Sequence, residues 1–218
     1  IYFPKNLIKF ECVELPEKLT KITISQLNDR FIFKKNKYLL FKSDKNSDNF
    51  DVFLYALPNV KEILIPSNII NIHKYAFSNC KQLTKVEFSF NSSLQIIENF
   101  AFKNSNIEKI TIPSTISIIK FGAFAGCKNL KNVVIPENSK LETIEKSLFV
   151  NSGIRGFVVP SNISIIKDHA FSYCFSLQII EIGDNSKLQI LNLQIFSSSS
   201  ILMISASFLE SGQIKITK

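Results

Sequence analysis

Residues 76–80 read AFSNC, residues 123–127 read AFAGC and residues 170–174 read AFSYC, so the motif returns at a constant interval of 47. A fixed interval of this length marks a repeat whose units pack mainly on their neighbours. The phenylalanines refine the interval. Phe77, Phe102, Phe124, Phe149, Phe171 and Phe196 follow one another at spacings of 25, 22, 25, 22 and 25. Two coil types therefore alternate, and one of each spans the 47. Tyr55 precedes Phe77 by the shorter of the two spacings and reads as an earlier member of the series.

Each coil carries one apolar skeleton. Its first element is L-x-x-V-x-F at Leu83, Val86 and Phe88, repeated at Ile107, Ile110 and Ile112, at Leu130, Val133 and Ile135, at Ile154, Phe157 and Val159, and at Leu177, Ile180 and Ile182. Its late residues alternate apolar with outward positions, the period of a strand with one buried face. After a bend comes a second element, such as Leu94, Ile97, Ala101 and Phe102. The two coil types differ in length only in their bends, which is where a stacked array tolerates insertions. Pro66, Pro113 and Pro160 recur at strand ends, where a missing N–H does least harm. Asn91, Asn138 and Asn185, each followed by Ser, recur in the longer bend.

Composition agrees with a packed, non-membrane array. The 218 residues are 45% hydrophobic, with 20 Phe, no Trp and only 6 Gly. No apolar run approaches the ~18 residues of a membrane span. The chain opens on IYFPKNLIKF, without Met or an apolar signal core, and reads as a fragment or mature form. The net charge of +8 comes from 26 basic and 18 acidic residues that alternate through most of the chain, the pattern of a solvated surface.

The pattern P-S-x-I-x-x-I-x-x-x-A-F-x-x-C-x-x-L-x-x-V/I-x-I, alternating with N-S-x-L-x-x-I-x-x-x-x-F-x-N-S-x-I, resembles the BspA-like leucine-rich repeat, in the alternating form typical of protozoan surface antigens. The resemblance covers about residues 55–207. It implies a leucine-rich repeat solenoid, a right-handed β-rich superhelix with a parallel strand ladder on one face and short turns or strands on the other. It also implies surface display, adhesion to host cell or matrix, and protein binding. Residues 1–54 are expected to form an N-terminal cap with a β-hairpin turning near Lys35-Asn36. Residues 208–218, with QIKITK as a strand-like end, are expected to close the array.

Cys80, Cys127 and Cys174 hold one position in alternate coils. Strands lie ~4.8 Å apart, so alternate coils are ~10 Å apart, beyond the ~7 Å Cα limit for a disulfide. They read as small buried thiols packing in a bend. Cys12 has no evident partner. A metal site is not expected, because no CxxC is present and His73 and His169 hold non-equivalent positions. DKNSDNFD, residues 44–51, imitates the start of a calcium loop, but Asn49 and Tyr55 stand where Gly and the bidentate Glu belong. No catalytic motif appears. Asp168 and His169 are neighbours on an extended segment and point to opposite sides. No cofactor, catalytic residue or nucleic-acid ligand is expected.

If the ladder faces solvent between its buried residues, a binding surface can be read off: Lys61 and Glu62; Thr84, Lys85 and Glu87; Glu108, Lys109 and Thr111; Lys131, Asn132 and Val134; Arg155 and Val158; Gln178 and Glu181. Leu64, Gly156 and Ile179 share these rows. A mixed, extended face suits a protein or glycan ligand better than a small molecule, which needs a pocket. The expected function is a non-catalytic surface adhesion or binding protein. The alternative is an intracellular scaffold. A third reading places a polyanion on the basic cap run around Lys34, Lys35 and Lys37. Asn91 (N-S-S) and Asn162 (N-I-S) are candidate N-glycosylation sequons.

Overall fold

Short strands separated by bends build two parallel ladders along the chain. The computed structural model describes all residues except 12, 13, 17, 184, 207–214 and 218, and only the backbone of Ala206 and 215–217. Cys12 and most of the 208–218 segment thus lie outside the described residues.

In the first ladder, strands Glu62–Ile65, Lys85–Phe88, Lys109–Thr111 and Asn132–Val134 form one parallel sheet. Strands Gly156–Val159, Ile179–Ile182 and Met203–Ala206 form another. The register places Ile63 beside Val86, Ile110 beside Val133, and Phe157 beside Ile180, all buried. The second ladder is built of very short strands, among them Asn71–Ile72, Ile96–Ile97 and Ile118–Ile119. Asn71 pairs with Ile96 and Ile96 with Ile118, so the pairing steps along the chain by the same two spacings as the phenylalanines. Helix is confined, among the described residues, to one 3-10 turn at Leu193–Phe196, where the Asn192 side chain accepts a hydrogen bond from the Gln194 N–H.

Between the ladders runs a column of aromatic rings. Phe77, Phe102, Phe124, Phe149, Phe171 and Phe196 stack in order at centroid distances of 4.8, 5.2, 5.6, 5.3 and 5.9 Å. At the start of the column the structure corrects the spacing rule. The ring stacked on Phe77 is Phe53, at 4.7 Å, not Tyr55. Tyr55 is buried two residues further along the same strand, Val52–Ala56. The rule fails here because the preceding chain forms a regular strand rather than the bend of a coil. Each fully buried ring contributes roughly 1.5–3 kcal/mol.

The bends flanking each Ala-Phe pair use left-handed backbone. Tyr75, Phe100, Gly122, Ser147 and His169 form one column with φ near 60°. Asn79, Asn104, Gly126, Asn151, Tyr173 and Ser198 form a second, four residues on, with φ between 56° and 70°. Asn and Gly adopt this region at little cost, whereas Tyr75, Phe100, His169 and Tyr173 adopt it against their intrinsic preference. At Gly126 space as well as φ matters: a Cβ there would lie 2.1 Å from Asn104 Oδ1.

The cysteines belong to a third column. Stepping from coil to coil, the same bend position holds Cys80, Ser105, Cys127, Ser152, Cys174 and Ser199. The Cys127 thiol donates to the Phe102 carbonyl at 2.9 Å and the Cys174 thiol to the Phe149 carbonyl at 3.0 Å. Ser105 and Ser152 lie 3.5 Å from the Cys127 and Cys174 sulfurs. All three thiols are free and buried. Burial pushes Cys80 and Cys127 up to about 12 and raises Cys174 as well.

At the N-terminal end, Phe31–Lys34 and Tyr38–Phe41 form an antiparallel hairpin. Lys35 and Asn36 make its turn with φ of 54° and 51°, the mirror-image geometry that matches strand twist. Tyr38–Phe41 pairs antiparallel with Val52–Ala56, which pairs parallel with Asn71–Ile72. The hairpin therefore occupies the ladder edge that would otherwise expose unpaired backbone. Glu14 ties the preceding segment to the bends. Its Oε1 accepts from Ser78 Oγ at 2.6 Å and Asn79 Nδ2 at 2.9 Å, and its Oε2 lies 3.4 Å from Lys103 Nζ.

Candidate ligand-binding face

The pleat that buries Val86, Ile110 and Val133 turns their neighbours outward. Lys61, Glu62, Thr84, Glu87, Glu108, Lys109, Thr111, Lys131, Asn132, Val134, Arg155, Val158, Gln178 and Glu181 are exposed, and Lys85 is half-exposed. Parallel register orders them in rows. Glu62, Lys85, Lys109 and Asn132 are successive partners, as are Leu64 with Glu87 and Thr111 with Val134. Beyond them Gly156 pairs with Ile179, and Val158 with Glu181.

Charges of both signs share this face. Lys85 Nζ lies 2.8 Å from Glu87 Oε1 on its own strand. The Thr84 hydroxyl donates to the Lys61 carbonyl at 3.3 Å, so it contributes to coil stacking as well as to the surface. Apolar groups interrupt the charges: Leu64, Val134 and Val158 are 55%, 52% and 55% exposed.

The N-terminal half of the face holds an open concavity of about 830 Å³. Lys85, Glu87, Lys109 and Thr111 line it with Leu64 and Phe90. Phe90 is 91% exposed and is absent from the sequence-derived surface. A signal for it exists. The equivalent positions one and two repeats on are Glu137 and Asp184, so Phe replaces an acid at this bend position.

Several of the other sequence candidates have structural roles. In the basic cap run, Arg30 Nη2 donates to the Lys42 carbonyl at 2.8 Å, with its guanidinium 4.9 Å from the Phe41 ring centroid. Lys42 lies over Phe50. Lys34, Lys35 and Lys37 remain exposed at the hairpin tip. In the 44–51 stretch Asp44 Oδ1 accepts from the Asn46 N–H, and Asp51 accepts from the Ser43 N–H, so these carboxylates close turns. Asp168 and His169 lie in a turn rather than on an extended segment, with His169 at a φ of 60°, and His169 Nδ1 lies 3.1 Å from Ser172 Oγ, which is buried. Burial lowers the half-buried His73 below its ordinary value. Among the described residues no three His, Cys, Asp or Glu side chains gather as a metal site, and no helix is long and apolar enough to cross a membrane.

The two sequons differ. Asn162 Nδ2 donates to the Ser139 carbonyl at 2.6 Å and the Leu141 carbonyl at 3.0 Å. Asn68, at the equivalent position two repeats earlier, donates likewise to the Phe50 carbonyl. This position therefore serves coil stacking. Asn91 is exposed, and its side chain has no hydrogen-bond partner among the described residues.

The model of the BspA type leucine-rich repeat region matches residues 49–178 and 142–213, with six copies. No curated protein sequence matches. Among solved structures, a leucine-rich repeat protein from Eubacterium ventriosum aligns at a TM-score of 0.80 and 20% identity, over 100% of this chain and 56% of that one. The T. pallidum leucine-rich repeat protein aligns at 0.61 and 19%, over 78% of this chain and 86% of that one. One from Bacteroides ovatus aligns at 0.56 and 20%, over 81% and 51%. The chain thus spans about half the length of two of these three. At such identities the likeness concerns the fold.

Proposed function

The chain belongs to the BspA type leucine-rich repeat family, and on that premise we propose that it is a non-catalytic binding protein acting in adhesion at a cell surface. The outward face of the first ladder meets a protein or glycan ligand on a host cell or its matrix. The observation that carries this reading is the register of that face. Parallel pairing holds Glu62, Lys85, Lys109 and Asn132 in one row and exposes Leu64, Thr111 and Val134 beside it. Side chains fixed on strands lose little further backbone freedom on binding, which favours an extended macromolecular partner. Exposed Leu64, Val134 and Val158 supply apolar contact area within a polar surround.

The test compares binding of wild-type protein and a Lys85→Glu, Lys109→Glu, Lys131→Glu variant to candidate host cells and matrix components. Saturable binding that falls at least tenfold in the variant supports the face. Equal binding by both moves the site elsewhere.

A second reading uses the same fold inside the cell. Cys80, Cys127 and Cys174 are free, and because their coil spacing keeps them apart they are compatible with either redox compartment. An intracellular scaffold would use the same face toward a cytosolic partner. Labelling of intact cells with a membrane-impermeant biotin reagent separates the two: a labelled protein is at the surface, and one protected until lysis is the scaffold.

A further inference from the structure

The two sequons have opposite chemistry, and Asn91 lies beside an exposed aromatic ring that the fold does not use. We propose that Asn91 is an N-glycan acceptor, that Asn162 is not, and that the first sugar on Asn91 rests over Phe90. This rests on the surface reading only in requiring passage through a secretory compartment.

Acceptor chemistry needs a free amide and a hydroxyl two residues on. As Asn91 Nδ2 bonds to the anomeric carbon of the sugar it gives up one proton, which passes to solvent. The bond from that carbon to the phosphate oxygen of an activated diphosphate-linked sugar donor breaks, and the diphosphate leaves. Asn91 and Ser93 are both exposed. Neither side chain has a hydrogen-bond partner among the described residues. The Asn91 backbone has a φ of 59°, which holds it at the crest of the long bend.

At the second sequon both groups are already committed. The two hydrogens of Asn162 Nδ2 go to the Ser139 and Leu141 carbonyls, and the Ser164 hydroxyl donates to the Glu142 carbonyl. A sugar on Asn162 would replace one of those hydrogens and push the coil from its neighbour. A chain modified there would lose contacts its stacking requires.

Phe90 gives the glycan a seat. Phe90, Asn91 and Ser92 line the concavity together with Lys85, Lys109 and Thr111. The negative face of an aromatic ring attracts the partly positive C–H bonds of a sugar. Lysine and threonine side chains around the ring can hydrogen-bond sugar hydroxyls.

The test secretes the whole chain from a eukaryotic host behind an added signal sequence, so its outcome is independent of where the native protein resides. Intact mass and glycopeptide mapping read occupancy. The expected result is one glycan, at Asn91, lost in the exposed-site variants Asn91→Gln and Ser93→Ala. An unmodified secreted chain, or one carrying sugar at Asn162, overturns the assignment. Amidase removal of the glycan should lower the melting temperature more in wild type than in Phe90→Ala. Equal drops would overturn the seating over Phe90. Failure of ladder-face binding in unglycosylated protein would count against the proposed function and leave this result untouched.

Discussion

The rings of Phe77 and Phe102 lie 4.8 Å apart and within 2° of parallel, although they belong to successive coils of the chain. Phe102 and Phe124 repeat the relationship at 5.2 Å across the shorter coil type. The ring therefore marks a fixed point in each coil, and length differences are absorbed between rings. A rigid internal column holds the ladder rows in register, and the register defines the candidate binding face.

The buried thiols should be chemically silent. With Cys80 and Cys127 pushed up to about 12, only about one thiol in ten thousand ionises at pH 8, and the thiolate is the reactive form. Alkylation of native protein at pH 8, mapped by peptide mass spectrometry so that Cys12 is counted separately, should leave Cys80, Cys127 and Cys174 unmodified. All three should react in denaturant. Cys127→Ser should be tolerated within about 1–2 kcal/mol, because the hydroxyl can still donate to the Phe102 carbonyl. Rapid native labelling of Cys127 would contradict the packing described.

The left-handed columns predict opposite signs for two substitutions. Tyr173 has a φ of 58° and is half-exposed. Tyr173→Asn places there the residue found at Asn79, Asn104 and Asn151, and should stabilise by about 0.5–1 kcal/mol. Gly126→Ala puts a methyl group 2.1 Å from Asn104 Oδ1 and should destabilise by about 1–3 kcal/mol. Chemical denaturation midpoints read both, and a stabilising Gly126→Ala would be inconsistent with the bend.

Acid should release the N-terminal segment. The hydrogen bond from Ser78 chiefly holds the Glu14 carboxyl below its ordinary value of 4.5, with Lys103 and Asn79 assisting and burial opposing. A lowered folded value means the contribution is complete above pH 4.5 and is lost as pH falls through that folded value. Glu14 is about a third exposed, so Glu14→Gln should cost no more than about 1 kcal/mol at pH 7. The difference between variant and wild type should shrink in acid. A constant difference from pH 7 to pH 3 would remove Glu14 from this role.

Reversing the ladder charges should leave stability nearly unchanged. Lys85, Lys109 and Lys131 are surface groups, and among the described residues Lys85 forms one ion pair, with the exposed Glu87. Each change to Glu should cost within about 0.5 kcal/mol. A folded, monodisperse variant is therefore expected to serve as the binding control, as judged by circular dichroism and melting temperature. A variant that unfolds would mean these lysines support the fold.

Much of this architecture was legible because burial repeats with the coil. Phe77 through Phe196 and the inward residues Val86, Ile110, Val133 and Ile180 follow from spacing alone, since a missed interval would expose a ring. Outward positions such as Thr111 and Val134 follow from alternation. Tyr55 misled because the N-terminal strand Val52–Ala56 obeys sheet pairing rather than coil spacing, which let Phe53 take the column position. The Cys/Ser alternation required comparing the two coil types position by position, where the shared demand is a small polar side chain. Phe90 was legible only as a departure from Glu137 and Asp184. The roles of Asn68 and Asn162 depend on which carbonyls the preceding coil presents, and no spacing rule contains that information.

The stacked column is tested most directly by Phe102→Ala, whose ring is fully buried between Phe77 and Phe124. Equilibrium unfolding in urea, followed by circular dichroism, should show a loss of about 3–5 kcal/mol relative to wild type. A loss below about 1 kcal/mol, as expected for an exposed or loosely packed ring, would contradict the account.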